Sequence, residues 1–482
     1  MFEIRNPKRA KEHRKGKMKR KDLRMDARVG ADAELKLGRN GFQDKQGRLV
    51  FFRGINIASN AKFPPFIPFE DPKWLDLLAQ WGFNMARLTL MWEAIEPRPG
   101  QYDRIYLEKI ALLVEQASQR GIYILLDMHQ DLYSRWVGGD GAPDWAFPPD
   151  VDPHNNSGIQ GFEGGMWGMA YSQSDEIKRC FTHFFQSQEL REHYKRAWQE
   201  VARWVKGNPY VLGYDIMNEP SSGETLNITG EFENGYLKPF YEEVIQAIRK
   251  VHPDAVGFVE PNMYDTYFSN LTPFSTHGLI YAPHLYDALS VSFRFNMPLE
   301  DMVLGELLEK LKEKAEELGL PLFVGEFGDT WKKPDRNSPV DNAHCVLEEG
   351  FTNCAYWDYS VKDVDAWNEE DFSIIDQNGR PRGLEVNVRP YVRRLSGTPI
   401  RQSFSSSDKI YTGEFSGGPS KDPTIIYVPE SLHYPKGFDV EVSDGRNEYH
   451  KDLSELWYFP ENEGDHWIEI RPKGSYEPIP VA

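Results

Sequence analysis

The chain has 482 residues, of which 40% are hydrophobic and 27% charged, with a formal net charge of −18 at pH 7. That length exceeds one ordinary core and predicts a large domain with a smaller one attached. The acidic balance argues against nucleic acid as the main partner, and three cysteines without ligand spacing predict neither a disulfide framework nor a zinc site.

Residues 1–35 read as a basic extension, with twelve Lys or Arg against four acids over residues 1–30. Its composition cannot bury a core. It fits a solvated tail, an over-long start with the true beginning near Met25, or a tether to an anionic surface. No apolar leader-like run follows it, so the expectation is a cytoplasmic protein, or a secreted one if a leader was removed.

From residue 49 onward, β-prone runs alternate with helical patterns. Strands are expected at 49–57, 84–90, 122–127, 211–217, 256–260, 279–283, 322–325 and 354–357. Amphipathic helices are expected at 74–81, 106–120, 190–205, 239–250 and 304–318. Eight such alternations point to an α/β chain folded as a (β/α)₈ TIM barrel over residues 36–396. The stretch "GFQDKQGRLVFF" leading into the first strand reads as a hairpin closing the barrel bottom. Residues 130–186 are expected to be one long loop, rich in Gly, Pro and aromatics. After Ser396 the helical pattern stops, and short strands with turns between them predict a C-terminal β-sandwich over 397–482.

In such a barrel, catalytic groups sit where strands end. The second strand delivers Arg87, the third His129 and Asp131, the fourth Asn218 and Glu219. The sixth delivers His284 and Tyr286, the seventh Glu326 and the eighth Trp357. Taken singly, each has an ordinary structural reading. Together they place two carboxylates, Glu219 and Glu326, in one cavity, which is the machinery of glycoside hydrolysis. Asn218 is suited to a sugar 2-hydroxyl and Trp357 to the floor under a ring. Tyr286 can donate to Glu326, and Arg87 is expected to keep that carboxylate charged and depress its pKa. The chemistry calls for no metal and no organic cofactor.

This pattern resembles glycoside hydrolase family 5 over about residues 40–395. All eight positions that recur in that family have a counterpart here, in Arg87, His129, Asn218, Glu219, His284, Tyr286, Glu326 and Trp357. Within it, "DMHQDLYSRW", "GDGAPDW" and "GINIASNAKFPPF" are similar to the endoglycoceramidases and their glucosylceramidase-like relatives. The resemblance implies a retaining mechanism with Glu326 as nucleophile and Glu219 as acid/base, and it adds Lys62 and Asp131 as contacts to the terminal sugar. It implies a glycolipid substrate, a β-glucoside of ceramide, with one sugar or several as the glycone. Steryl or other apolar-aglycone glucosides are the alternative, and a non-catalytic sugar- or lipid-binding barrel is the rival of another class. Apolar loops carrying Phe63, Phe66, Trp145 and Trp167 are expected to line a lipid groove beside Glu219, with transient contact to a membrane surface. The oligomeric state stays open.

Overall fold

The computed structural model describes residues 33–155, 158–162, 164–286, 300–333 and 337–474, so residues 1–32 of the basic extension lie outside it. Eight parallel strands form the barrel: β1 (Arg53–Ile57), β2 (Met85–Met91), β3 (Tyr123–His129), β4 (Val211–Asp215), β5 (Gly257–Val259), β6 (Leu279–Tyr281), β7 (Phe323–Phe327) and β8 (Asn353–Tyr356). Neighbours in sequence are neighbours in the sheet, and β8 pairs with β1. Between β6 and β7 the barrel closes through bridges from Tyr281 to Leu322 and from Leu285 to Phe327.

The strands are apolar on both faces because both are covered. Outward residues such as Ile124, Leu126 and Met128 join the core shared with the helices. Inward residues near the strand starts, among them Met85, Leu125, Phe258 and Phe323, join a separate apolar plug at the barrel bottom. Further along the same strands the inward positions turn polar: Asn56, Arg87, Asp127, Asp215 and Glu260 are all buried. The barrel is thus apolar below and charged above.

Helices form where side-chain spacing lets one face join this core. The helix Arg104–Ser118 starts at Asp103, whose carboxylate accepts from the amides of Ile105 and Tyr106 at 2.8 and 3.0 Å. Such a cap is worth about 1 kcal/mol. Tyr106, Leu107, Ile110, Leu113, Val114 and Ala117 then bury one stripe.

The segment expected to be a long loop after β3 is not structureless. Among the described residues it holds three 3₁₀ turns, a helix at Ala170–Gln173 and a longer one at Asp175–Gln186. The missed signal was Ser174, which caps Ile177, followed by Ile177, Cys180, Phe181, Phe184 and Phe185 at helical spacing.

The C-terminal region is two antiparallel sheets around one core that includes Phe404, Phe415, Ile426, Leu456 and Ile468. The hairpin strands Lys36–Gly38, Gly41–Gln43 and Leu49–Val50 form the edge of its seven-stranded sheet, where Leu49 and Val50 pair with Leu395 and Arg394. The same hairpin sends Phe42 and Val50 into the barrel plug, with Phe42 5.6 Å from Phe52. These residues serve both units, joining barrel to sandwich through hydrogen bonds and apolar contact.

Candidate active site

The upper ends of the strands converge on Arg87. Its side chain has no solvent exposure. Nε donates to Asp215 at 2.8 Å, and Nη1 donates to Glu326 Oε1 at 2.7 Å and to Asn56 at 3.1 Å. Nη2 reaches Asn218 at 2.8 Å, Asp127 at 3.1 Å and Glu260 at 3.2 Å. One guanidinium therefore organises four buried carboxylates. Its planar fork of five N–H donors is what permits this, and no lysine could do the same.

Glu326 and Glu219 face each other across the cavity. A carboxyl oxygen of each, together with a ring nitrogen of His284, lies within 4.8 Å of the others. His284 Nδ1 is 2.8 Å from Glu219 Oε1 and 3.5 Å from Glu326 Oε2, while Nε2 is 3.3 Å from Glu260. Tyr286 donates its hydroxyl to Glu326 Oε2 at 3.1 Å. Burial and the nearby Glu326 charge hold the Tyr286 phenol well above its ordinary range, which keeps it a donor.

Arg87 pulls the Glu326 pKa down as expected, but it does not set the net direction. Burial is the largest influence and raises it, and Glu219 raises it further; His284 and Arg87 pull it down without overcoming burial. The net direction is upward, because a carboxylate this deep loses more solvation than one shared guanidinium returns.

Glu219 sits at φ +40°, a strained backbone for a residue with a Cβ. Its amide donates to Glu260 Oε2 at 3.0 Å and its carbonyl accepts from Gln130 Nε2 at 2.9 Å. Asn218 Oδ1 accepts from Arg87, and its Nδ2 donates one N–H to the Gln130 carbonyl at 3.1 Å, leaving the second N–H for a ligand. Glu260, Asp127, Asp215, Asn56 and Gln130 were not anticipated. Glu260 had a legible signal: it ends an apolar strand before a proline, as Glu219 does.

The remaining expected residues form the other end of the site. His129 stacks on Trp357 at 5.4 Å and 14°, with Nδ1 2.7 Å from Asp127 and Nε2 3.2 Å from Asp131. Burial opposes its charge, but those two carboxylates prevail and hold it up at about 10. Lys62 donates to Asp131 at 2.6 Å, stands 3.7 Å from Asp140 and lies over the Trp357 ring at 4.8 Å. His129, Asp131 and Asp140 could by spacing hold a cation. The Lys62 ammonium already stands between the two aspartates and supplies that charge.

The apolar loops divide. Phe63 is 38% exposed, and Phe66 is half-buried against the core. Trp145 does not line the cavity. It packs at 5.3 Å on Trp92, and its Nε1 donates to the Glu96 carbonyl at 3.1 Å. Trp167 leans on Trp367 at 4.8 Å. Tyr264, 48% exposed and close enough to feel the Glu219 charge, stands on the acid/base side with the exposed Met166 and Met169 flanking Gly168. Met263 is tied by its amide to the carbonyl of Pro220, next to Glu219, at 2.9 Å, and the Tyr264 hydroxyl donates to Gly168. Trp145→Ala is accordingly expected to cost about 3 kcal/mol in urea unfolding while leaving kcat/KM for a soluble aryl glucoside within twofold of wild type.

A family model described as cellulase (glycosyl hydrolase family 5) matches residues 44–363, and one for the glycoside hydrolase family 5 C-terminal domain matches residues 389–470. Endoglycoceramidase I of Rhodococcus hoagii is 26% identical over 439 residues, covering 84% of this chain and 81% of that one. The solved lactosyl-enzyme intermediate of endo-glycoceramidase II from Rhodococcus sp. superposes with a TM-score of 0.72 at 28% identity, over 90% of this chain and 99% of that one. Sterylglucosidase 1 of Cryptococcus neoformans shares the fold, with a TM-score of 0.78 at 17% identity over 92% and 98% of the two chains.

Proposed function

The chain belongs to glycoside hydrolase family 5, and from that footing we propose that it is a retaining β-glycosidase that cleaves the bond between glucose and a ceramide-like lipid. The observation that carries the mechanism is the closeness of Glu219 and Glu326, with carboxyl oxygens within 4.8 Å. Retaining pairs stand about 5–5.5 Å apart, whereas inverting pairs leave room for a water at about 6.5–9.5 Å.

Glu326 acts as the nucleophile. Arg87 and Tyr286 fix its two oxygens, so the carboxylate is already aimed when substrate arrives. Its attack forms a glycosyl ester as the bond to the leaving oxygen breaks. Glu219 gives that oxygen its proton, then takes one from the water that hydrolyses the ester. The His284 contact and the two backbone bonds hold Glu219 toward the leaving group. Asn218 meets the 2-hydroxyl with its free N–H, and Trp357 lies beneath the ring. No step needs a metal or an organic cofactor.

The lipid reading draws support from two sources. Relatives named endoglycoceramidase match most of the chain. Tyr264, with Met166 and Met169 beside its partner Gly168, presents apolar surface on the Glu219 side, where a leaving group departs. Such a patch fits a hydrocarbon tail drawn from a membrane surface. Tyr264→Ser should raise KM for glucosylceramide micelles about tenfold and leave a short aryl glucoside nearly unaffected.

The deciding experiment separates leaving groups. Glu219→Gln should lower kcat/KM for glucosylceramide by about 10³-fold, yet cost less than about tenfold on a dinitrophenyl glucoside, whose leaving group needs no proton. Equal losses on the two substrates would remove Glu219 from the acid/base role.

A further inference from the structure

The two ends of the site differ in how they meet solvent. Side-chain exposure falls from 19% at Glu219 to 7% at Glu326, 5% at Asp131 and 1% at Lys62. The Lys62 end is capped by three loops tied to one another. From the loop after β1, the Asn60 amide donates to the Lys362 carbonyl at 2.5 Å and accepts from the Val361 amide at 2.9 Å. Asn368, on that same loop after β8, donates to the Gly138 carbonyl at 3.2 Å in the loop after β3. Trp367 completes the closure, with its ring 3.6 Å from the Lys62 ammonium and 4.8 Å from the Trp167 ring.

Inside this cap, buried polar atoms stand without hydrogen-bond partners among the described residues. They are Trp367 Nε1 and Glu370 Oε2. Trp367 is 2% exposed. Buried donors and acceptors are normally paired, so a group of them in one place marks a site for a polar ligand. Glucose offers that ligand, since each of its hydroxyls both donates and accepts. Its hydroxyls remote from the anomeric carbon reach this end when that carbon stands between Glu219 and Glu326. In glycolipids with longer glycans, one of those same hydroxyls carries the next sugar, on the side that the cap covers.

Resting on the glycosidase reading above, we propose that Trp367 and Glu370 form the end wall of a one-sugar pocket. The enzyme would then remove a single glucose and exclude glycolipids whose glucose bears a further sugar. Glu370 accepts from a remote glucose hydroxyl, and Trp367 blocks the path beyond it.

The test compares methylumbelliferyl β-glucoside with methylumbelliferyl β-lactoside, and glucosylceramide with lactosylceramide in detergent micelles, with released sugars identified. The full chain should hydrolyse the glucosides and show kcat/KM at least about 100-fold lower on the lactoside. Trp367→Ala should raise the lactoside-to-glucoside ratio by at least about tenfold. Glu370→Gln, which keeps the shape, should lower kcat/KM for the glucoside about tenfold, mostly through KM, without moving Tm. Release of intact lactose at a rate within tenfold of glucose release would overturn the one-sugar pocket while leaving the glycosidase reading intact. Unchanged ratios in a folded Trp367→Ala, together with unchanged KM in Glu370→Gln, would overturn the wall. Failure to hydrolyse either aryl glycoside would overturn the parent reading and this inference together.

Discussion

Glu326→Gln is expected to lower kcat by about 10⁵-fold or more on lipid and aryl glucosides alike. The loss should not depend on the leaving group, because the amide cannot form the glycosyl ester whatever departs. The fold should survive, with unfolding free energy within about 1 kcal/mol of wild type. The substitution removes one favourable pair with Arg87, but it also relieves the burial that holds the Glu326 carboxyl above its ordinary range. That upward displacement fixes a pH dependence in the wild-type enzyme. A nucleophile must be ionised, so kcat/KM falls as pH drops through the Glu326 pKa. With that pKa raised, the acid limb should begin above the ordinary glutamate range. A limb at or below that range would show that Arg87 and His284 outweigh burial. Glu326→Gln retaining more than about 1% of wild-type kcat would exclude it as the nucleophile.

The second large effect is expected at Arg87, on stability. Arg87→Leu leaves Asp127, Asp215, Glu260 and Glu326 buried without their shared cation. Breaking a buried pair by removing one partner costs about 3–5 kcal/mol, and here four acids lose the same partner. Unfolding free energy should fall by at least about 4 kcal/mol at neutral pH. The deficit should shrink on acidification. Burial already raises the Asp215 and Glu326 carboxyls despite Arg87, and losing Arg87 removes a charge that pulls both down. A raised carboxyl destabilises the fold once pH exceeds the unfolded pKa, and it ceases to do so when both states are protonated. Chemical denaturation at about pH 8 and about pH 5 should show the variant recovering a measurable part of its loss at the lower pH. An equal deficit at both would mean that packing, rather than uncompensated charge, dominates. Arg87→Lys should fall between the two, because a point charge cannot reach all four partners.

How far the site could be anticipated from sequence depends on strand parity. Side chains alternate along a strand, so Leu125, Asp127 and His129 share a face, and an apolar bottom with a polar top follows from reading alternate residues. The same rule places Ala355 with Trp357, and Ile280 with His284 and Tyr286. These positions were legible because local alternation governs them. So was the barrel itself, from eight apolar runs alternating with helical patterns.

Glu326 obeys a different constraint. Phe323 points into the barrel plug, and strict alternation from it would turn Glu326 outward. The ladder between β7 and β8 shifts register between Val324 and Phe327, an irregularity that puts Gly325 and Glu326 successively inward and returns Phe327 to the outer core. Gly325 permits this, since a Cβ there would stand 3.1 Å from the His284 ring. A bulge of this kind depends on what the neighbouring strand offers. The sharing of Arg87 among four acids, the wedging of Trp145 between Trp92 and the Glu96 carbonyl, and the cap of three loops over Lys62 likewise join residues far apart in the chain. The sequence by itself determined which barrel strands exist, which face is polar where alternation holds, and that glutamates stand at or just beyond the ends of the fourth and seventh. Only the tertiary structure decided how close they stand, which charges hold them and where the pocket ends, because those follow from burial and contact between segments that no local pattern links.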